Sequence, residues 1–438
     1  MKNRSSIAFG FLALILVGAV ALSAPFARVA GVWGNFGDAL FMACSAVCVT
    51  GLSVVDLVRE YTLAGQLTLL ALVEVGCLGL MTCGTFLLVA IGRRLSLARE
   101  FSLMNAYGVA EVQGLRGLIC WTVGSMLFVE AIGAAVLYWR FGDIYQSVFY
   151  SVMGFCNAGF GLRSDSLASF MGDPWAVLTM AGLTIVGGIG FLVIYNLCTF
   201  KFLHRRSGGR GRLTLHTRVV LRFTLYLLAV SFAAVLLLEW NGALAGFGTV
   251  GEKLLAGFYQ AVTPRTCGFC VVATESLQPL TRLVYEVMMF IGGAPGSAAA
   301  GMKVTTFAVL VYTLVAMCRG DSETIINRRV IPLEIVRESI VIMISLISFA
   351  VIIAGVLLYT ETGRGLTVEA LFFEAISAVT TTGFAVGDTT AMLSPVGRAV
   401  VMVAMFIGRL GALTVVMMIG DRETKRHVRF PSEELVVG

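Results

Sequence analysis

Four short stretches, each closing on glycine, divide the 438-residue chain at near-equal intervals. They are GDALFMACSAVCVTGL (37–52), GDIYQSVFYSVMGFCNAGF (142–160), GEKLLAGFYQAVTPRTCGF (251–269) and VEALFFEAISAVTTTGF (368–384). Their terminal glycines, Gly51, Gly159, Gly268 and Gly383, lie 108, 109 and 115 residues apart, a regularity that marks an internal repeat. Each stretch opens near an acid (Asp38, Asp143, Glu252, Glu369), continues as about three turns of mostly apolar helix, and ends in a short polar segment. A carboxylate at that start complements the helix dipole and satisfies free N–H groups.

The stretches sit between long apolar segments: 7–24, 62–92, 117–138, 175–200, 219–238, 283–318, 339–358 and 396–420. Many approach the roughly 20 residues that carry a helix across a bilayer. The chain is 58% hydrophobic and 13% charged, with a mean hydropathy of +0.89. A soluble domain carries about 25% charged residues, so the composition points to a polytopic membrane protein.

Between two spanning segments, a helix of three turns is too short to cross. It enters and turns back, which a membrane tolerates only where the non-helical end is buried in protein or faces water. The helix C-terminus, carrying partial negative charge, then lies at mid-depth and attracts cations. The segments that follow, VTGL, NAGF, TCGF and TTGF, offer backbone carbonyls with Thr or Asn side chains. Rings of carbonyls replace an ion's hydration shell in potassium filters, and glycine frees the backbone to aim them. The competing reading is four ordinary glycine-capped turns. Four in register, each after an acid and a short helix, argue against it.

Basic residues cluster around five points: Lys2 and Arg4; Arg93, Arg94, Arg99 and Arg116; Lys201 to Arg222; Arg319 to Arg337; and Arg422 to Arg429. Under the positive-inside rule both termini and the three connectors are cytoplasmic. The net charge of +6 is thus a topology signal, which displaces nucleic-acid binding. Lys2, Arg4 and the small residues of ALSAP resemble a secretory signal, but the repeat needs this segment as its first helix. The ten cysteines are scattered in apolar sequence and form no disulfide framework; Cys267 and Cys270 lack a second ligand pair for zinc. All three histidines fall in basic segments and no HExxH or GxSxG lies in a span, so the chain is not read as an intramembrane enzyme.

Residues 291–306, IGGAPGSAAAGMKVTT, interrupt the third repeat's second apolar segment. Gly292, Gly293, Pro295, Gly296, Ser297 and Gly301 break a membrane helix there, leaving a loop of small residues suited to gating. Lys303 beside it and Arg409 in FIGRLGALTV are the basic residues deepest in apolar sequence, functional candidates by default. Glu74, Glu130 and Glu286 also lie within helices, where packing or loop anchoring is favoured over proton relay.

CVTGL, FCNAGF, TPRTCGF and FEAISAVTTTGF, with the 291–306 loop, resemble the membrane subunit of the Ktr/Trk/HKT potassium transporter superfamily, KtrB or TrkH type. The resemblance covers nearly the whole chain. It implies an all-α polytopic membrane protein with four M1-P-M2 repeats, potassium-channel-like, around one central pore. The repeats are 1–100, 101–210, 211–325 with the loop, and 326–420, followed by a tail, 421–438. The filter residues it implies are Val49, Thr50, Gly51; Cys156, Asn157, Ala158, Gly159; Thr266, Cys267, Gly268; and Thr380, Thr381, Thr382, Gly383. Glycine in all four loops implies potassium as the transported ion, with sodium as an activator open. The gate would be the 291–306 loop with Lys303 and Arg409, although Ala300 and Met302 depart from the usual family loop. The resemblance further implies passive, potential-driven uptake at a bacterial inner membrane, a homodimer, membrane lipid, and a cytosolic nucleotide-binding RCK/KTN subunit of KtrA or TrkA type. No organic cofactor is expected in this chain. The alternative is a sodium-coupled or other cation or solute transporter.

Overall fold

The computed structural model describes residues 2–79, 115–163, 165–198 and 213–411, with side chains from Ala8 in the first helix and from Ile119 in the fourth. Among the described residues the fold is all-α apart from one small hairpin, as the sequence led us to expect, and its helices repeat four times. The first repeat holds α1 (Lys2–Ser23), α2 (Phe36–Val47) and α3 (Leu63–Leu78). The second holds α4 (Leu115–Phe141), α5 (Ile144–Cys156), α6 (Pro174–Ile189) and α7 (Phe191–Cys198). The third has α8 (Leu215–Glu239), α9 (Val250–Val262), α10 (Pro279–Phe290) and α11 (Val304–Arg319). The fourth has α12 (Leu333–Thr360), α13 (Val368–Val379) and α14 (Pro395–Leu410). Among the described residues, stretches of α4, α8 and α12 of 23, 25 and 28 residues are long and apolar enough to cross a membrane. The basic residues Arg93, Arg94 and Arg99, those from Lys201 to Arg212, and the 421–438 tail lie outside the described residues.

The short helices α2, α5, α9 and α13 form the core. Phe41, Tyr150, Tyr259 and Phe373 are fully buried on them, because each short helix is enclosed by its own repeat and by the preceding one. Their starts follow the expected polar grammar with differences. Asp143 caps α5, accepting from the Tyr145 N–H at 2.9 Å. Thr249 and Glu252 form a reciprocal capping box on α9. The caps of α2 and α13 are instead Asn35 and Thr367. Asp38 and Glu369 lie in the first turn, where they are free to pair with arginines of other repeats.

Those pairs show how the repeats close into a ring. Each short helix packs on the second long helix of the preceding repeat: α5 on α3, α9 on α6, α13 on α10, and α2 on α14. The fourth residues of those long helices, in register, are Gln66, Val177, Arg282 and Arg398. Arg398 pairs with Asp38 at 2.6 Å, Arg282 with Glu369 at 3.0 Å, and Gln66 accepts from the Tyr145 hydroxyl at 2.6 Å. Three of the four seams thus carry a polar clasp, and the α6–α9 seam has valine in its place.

The apolar runs 62–92, 175–200 and 396–420 look continuous in sequence, yet each of their helices stops half-way, at Gly79 (φ +76°), Gly190 (φ +91°) and Gly411 (φ +86°). At Gly190 the chain bends by 95° into α7. The glycine three residues earlier explains the crossing. A Cβ on Gly76, Gly187 or Gly408 would overlap the carbonyl oxygen of Val47, Phe155 or Val379, at the end of each repeat's own short helix. Only glycine lets the long helix pass there.

Candidate functional site

The chain leaves each short helix through a loop in which two residues of positive φ flank one of ordinary hand. The pairs are Val49 (+56°) and Gly51 (+96°), Asn157 (+58°) and Gly159 (+67°), Thr266 (+73°) and Gly268 (+76°), and Thr381 (+49°) and Gly383 (+85°). In an extended strand successive carbonyls alternate between faces. Alternating hand turns them toward one face, which is the arrangement a carbonyl-lined filter needs.

The hydrogen bonds sort the two sides of each loop. The N–H groups are tied back to the short helix: Thr50 to the Ser45 carbonyl and Thr382 to that of Ser377, both at 2.8 Å; Ala158 to Met153 at 3.0 Å; and Cys267 to Thr263 at 3.1 Å. Among the described residues none of the carbonyls of Val49, Thr50, Asn157, Ala158, Thr266, Cys267, Thr381 and Thr382 accepts a hydrogen bond. Buried carbonyls ordinarily find a donor, so a row of eight free ones marks a ligand surface. In the threonine run the hydroxyls of Thr380 and Thr382 bond each other at 2.8 Å, and that of Thr380 reaches the Ile376 carbonyl. They brace the back of the loop.

The four glycines meet in a closed cycle. A Cβ on Gly51 would overlap the Ala158 carbonyl oxygen; one on Gly159 would lie 2.9 Å from Cys267 O; one on Gly268, 2.7 Å from Thr382 O; and one on Gly383 would overlap Thr50 O. All four line one cavity of about 400 Å³, together with Asp56, Arg163 and Asp388 from the loops beyond. The C-terminal ends of the four short helices converge on this ring from behind, and their dipoles favour a cation within it. Cys156, at the end of α5, is buried behind the ring, its Sγ 4.0 Å from Glu130 Oε1.

On the side of the ring away from this cavity, the 291–303 segment lies across the helix breaks. Its ends are joined by a bridge between Ile291 and Met302, with the Gly292 N–H on the Met302 carbonyl at 2.9 Å. Its flank docks on the second repeat: Ala294 N–H donates to Gly188 O at 2.9 Å, Ala298 N–H to Gly187 O at 3.2 Å, and Phe191 N–H to Gly296 O at 2.9 Å. Gly293 is needed because a Cβ there would lie 2.6 Å from Gly188 O. Gly296 and Gly301 adopt φ of +70° and +69°, Pro295 and Ser297 form the tip, and Ser297 Oγ lies 3.5 Å from the Ala299 carbonyl.

Arg409 and Lys303 clamp this segment. Arg409 Nη1 donates to the Ala298 carbonyl at 2.8 Å, while Nη2 donates to the carbonyls of Gly76 and of Cys77, the latter at 3.2 Å. One side chain of the fourth repeat therefore joins the loop of the third to the helix break of the first. Lys303 Nζ donates to the Ala299 carbonyl at 2.6 Å.

Two residues that the sequence reading did not single out belong here. Arg265 is buried and donates from Nη2 to the Gly292 carbonyl at 3.3 Å, linking the third glycine-closed loop to the second residue of the crossing segment. It stands in the quoted TPRTCGF and was legible as a charge beside the glycine-closed loop. Glu374 is fully buried on α13, accepting from the Thr390 hydroxyl at 2.6 Å. The other short helices carry Met42, Tyr150 and Tyr259 at its register, so the repeat hid it. Of the carboxylates that were singled out, Glu74 and Glu130 meet with Cys156, their ligand atoms within 4.8 Å of one another, at the α3–α4–α5 junction. Glu286 is half-buried on α10.

Comparisons with known proteins show the family and the fold. Residues 27–425 match the family model TrkH, described as a cation transport protein. The chain is 34% identical over 440 residues to the Ktr system potassium uptake protein B of Bacillus subtilis, covering 99% of this chain and 96% of that one. It is 32% identical to the potassium/sodium uptake protein NtpJ of Enterococcus hirae, with coverage of 99% and 96%. Among solved structures, the crystal structure of the potassium transporter TrkH from Vibrio parahaemolyticus superposes with a TM-score of 0.75 at 15% identity, over 96% of this chain and 85% of that one.

Proposed function

The chain belongs to the TrkH family of cation transport proteins, and from that premise we propose that it is a membrane potassium transporter that conducts the ion through the glycine-closed ring of Gly51, Gly159, Gly268 and Gly383. The observation that carries the proposal is the set of eight free carbonyls on loops of alternating hand around one cavity. Such oxygens replace water around a potassium ion, which is the transported substrate, and the charge they carry disfavours anions. Asp56 and Asp388 at the cavity wall raise the local cation concentration. Val49, Thr50, Cys156, Asn157, Ala158, Thr266, Cys267, Thr380, Thr381 and Thr382 complete the filter, supplying carbonyls or holding them in place.

In this reading the 291–306 segment is the gate. It lies across the path behind the filter and is held by backbone hydrogen bonds and by Arg409 and Lys303, whose charges also repel a cation. Opening requires the Arg409 clamp and the Gly187–Gly188 dock to release together. The cytoplasmic connectors are too short to fold a nucleotide-binding domain. If nucleotide controls the gate, its sensor is a separate RCK/KTN subunit, acting on a homodimer in a bacterial inner membrane with both termini cytoplasmic. A second reading is favoured by one observation: NtpJ is named for both potassium and sodium. Sodium then permeates or activates through the same ring.

The test is potassium-dependent growth of an uptake-deficient bacterial strain expressing the chain, with and without a cognate RCK subunit. Growth at limiting potassium in either case supports the proposal. No rescue in both, with the protein present in the membrane, contradicts it.

A further inference from the structure

The connector between the third and fourth repeats folds into a hairpin, with Ile325 opposite Val330 and Ile326 opposite Arg329. Its turn residues, Asn327 and Arg328, have φ of +51° and +63°. Two-residue turns of this hand favour Asn-Gly, so an arginine at the second position is held against its steric preference. The hairpin is fixed in place: Ile326 is buried with Val219, Ala308 and Val336, and Arg222 Nη1 donates to Asn327 Oδ1 at 3.2 Å.

Between this turn and the start of α8 lies a cleft of about 660 Å³, lined by Thr214, Arg218, Asn327, Arg328 and Arg329 beside Leu213 and Leu215. Three guanidinium groups line it without a carboxylate among them. Arg218 Nε is buried and has no hydrogen-bond partner among the described residues. Thr214 caps α8, whose positive dipole end opens on the same cleft. The far end of α8, at Glu239, holds the Gln278 N–H at 2.8 Å on the side of the outer cavity. The cleft is therefore at the opposite interface, about 37 Å away along a 25-residue helix. Arg218, Arg222 and Leu225 share one face of α8 at spacings of four and three, and Leu225 is 71% exposed.

We propose that this cleft binds the phosphate of an anionic phospholipid of the phosphatidylglycerol kind, with the acyl chains lying along the Leu225 face of α8. Guanidinium groups grip phosphate oxygens in pairs, and a basic pocket at the end of a membrane helix is placed at headgroup level. The apolar continuation from the arginines to Leu225 selects a lipid over a soluble anion. The orientation proposed above assigns the site to the cytoplasmic leaflet; binding itself does not depend on it.

The test is calorimetric titration of the purified full-length protein in detergent with dioctanoyl phosphatidylglycerol, dioctanoyl phosphatidylcholine and inorganic phosphate. Saturable binding of phosphatidylglycerol at least about tenfold tighter than of phosphatidylcholine is expected. Arg218→Gln should weaken it by at least about tenfold. Arg328→Gly should weaken it about threefold while leaving the melting temperature equal or higher, because glycine suits the turn. This second variant keeps the test decisive if Arg218→Gln misfolds. Equal affinity for both lipids would overturn the proposal and leave the arginines to an acidic protein surface. Inorganic phosphate binding as tightly as phosphatidylglycerol would overturn it in favour of a free anion, and an Arg328→Gly protein binding like wild type would also overturn it.

Discussion

Gly383 of the fourth loop stands against Thr50 of the first so closely that a Cβ on it would overlap the Thr50 carbonyl oxygen. This contact, between residues 333 positions apart in the chain, closes the ring of loops. The first prediction follows from it. Gly383→Ala, at φ +85° and without room for a methyl group, must push the Thr50 carbonyl out of line. Potassium uptake should fall at least about fivefold, since distortion of 1–3 kcal/mol at such a site weighs directly on ion binding. Uptake equal to wild type, with equal protein in the membrane, would show that the close approach is not needed.

Val49 is β-branched at φ +56°, a conformation such residues seldom adopt. Val49→Gly should therefore raise thermal stability by about 1 kcal/mol while loosening the first loop. The expected result is a higher melting temperature with poorer discrimination of potassium over sodium. A destabilised Val49→Gly protein would count against the strain.

Arg409 joins Ala298 to the first repeat's break through charge-assisted hydrogen bonds. Arg409→Gln should release the crossing segment and raise basal potassium flux about three- to tenfold, the range that 0.7–1.4 kcal/mol of lost clamping gives. Arg409→Lys keeps the charge but cannot reach both carbonyls at once, so its flux should lie between. Flux in both variants at or below wild type would argue against a clamp.

Deleting residues 294–300 removes the part of the segment that docks on Gly188 and accepts from Arg409. Flux measured without any cytosolic subunit should rise. A silent or unchanged transporter would argue that the segment supports the pore and does not close it.

The Arg398–Asp38 pair clasps the seam between the fourth and first repeats at 2.6 Å, with both side chains about a quarter exposed or less. Arg398→Ala should cost about 1–2 kcal/mol of stability, and Asp38→Asn alongside it should add little. Additive losses in a double-mutant cycle of melting temperatures would show that the two do not interact.

How much of this was legible in the sequence depended on which physical demand a residue meets. Gly51, Gly159, Gly268 and Gly383 were visible because close backbone approach leaves only one residue type to choose. Their partners at positive φ, Val49, Asn157, Thr266 and Thr381, were not, since four different side chains tolerate the same strain and leave no common letter. The crossing segment was read from the density of Gly292, Gly293, Pro295 and Gly296. The stops at Gly79, Gly190 and Gly411 were missed because an apolar run reads the same whether its helix continues or ends. The signal was there as a spacing: Gly76 and Gly79, Gly187 and Gly190, and Gly408 and Gly411 each lie three apart, and Gly292 and Pro295 repeat the interval. Lys303 and Arg409 stood out as charges in apolar sequence, but that Arg409 reaches Ala298 is tertiary information. Asp38 shows the same limit: its place in the first turn suggested a cap, and the fold gives it to Arg398.

In the proposed function, backbone carbonyls on four glycine-closed loops select potassium. The potassium-to-sodium flux ratio in proteoliposomes, taken for the wild-type protein and for Gly51→Ser, decides this. A wild-type ratio of about ten or more is expected, falling several-fold in Gly51→Ser, because a Cβ at φ +96° displaces the Ala158 carbonyl. A wild-type ratio near one, or a ratio unchanged by Gly51→Ser, would contradict it.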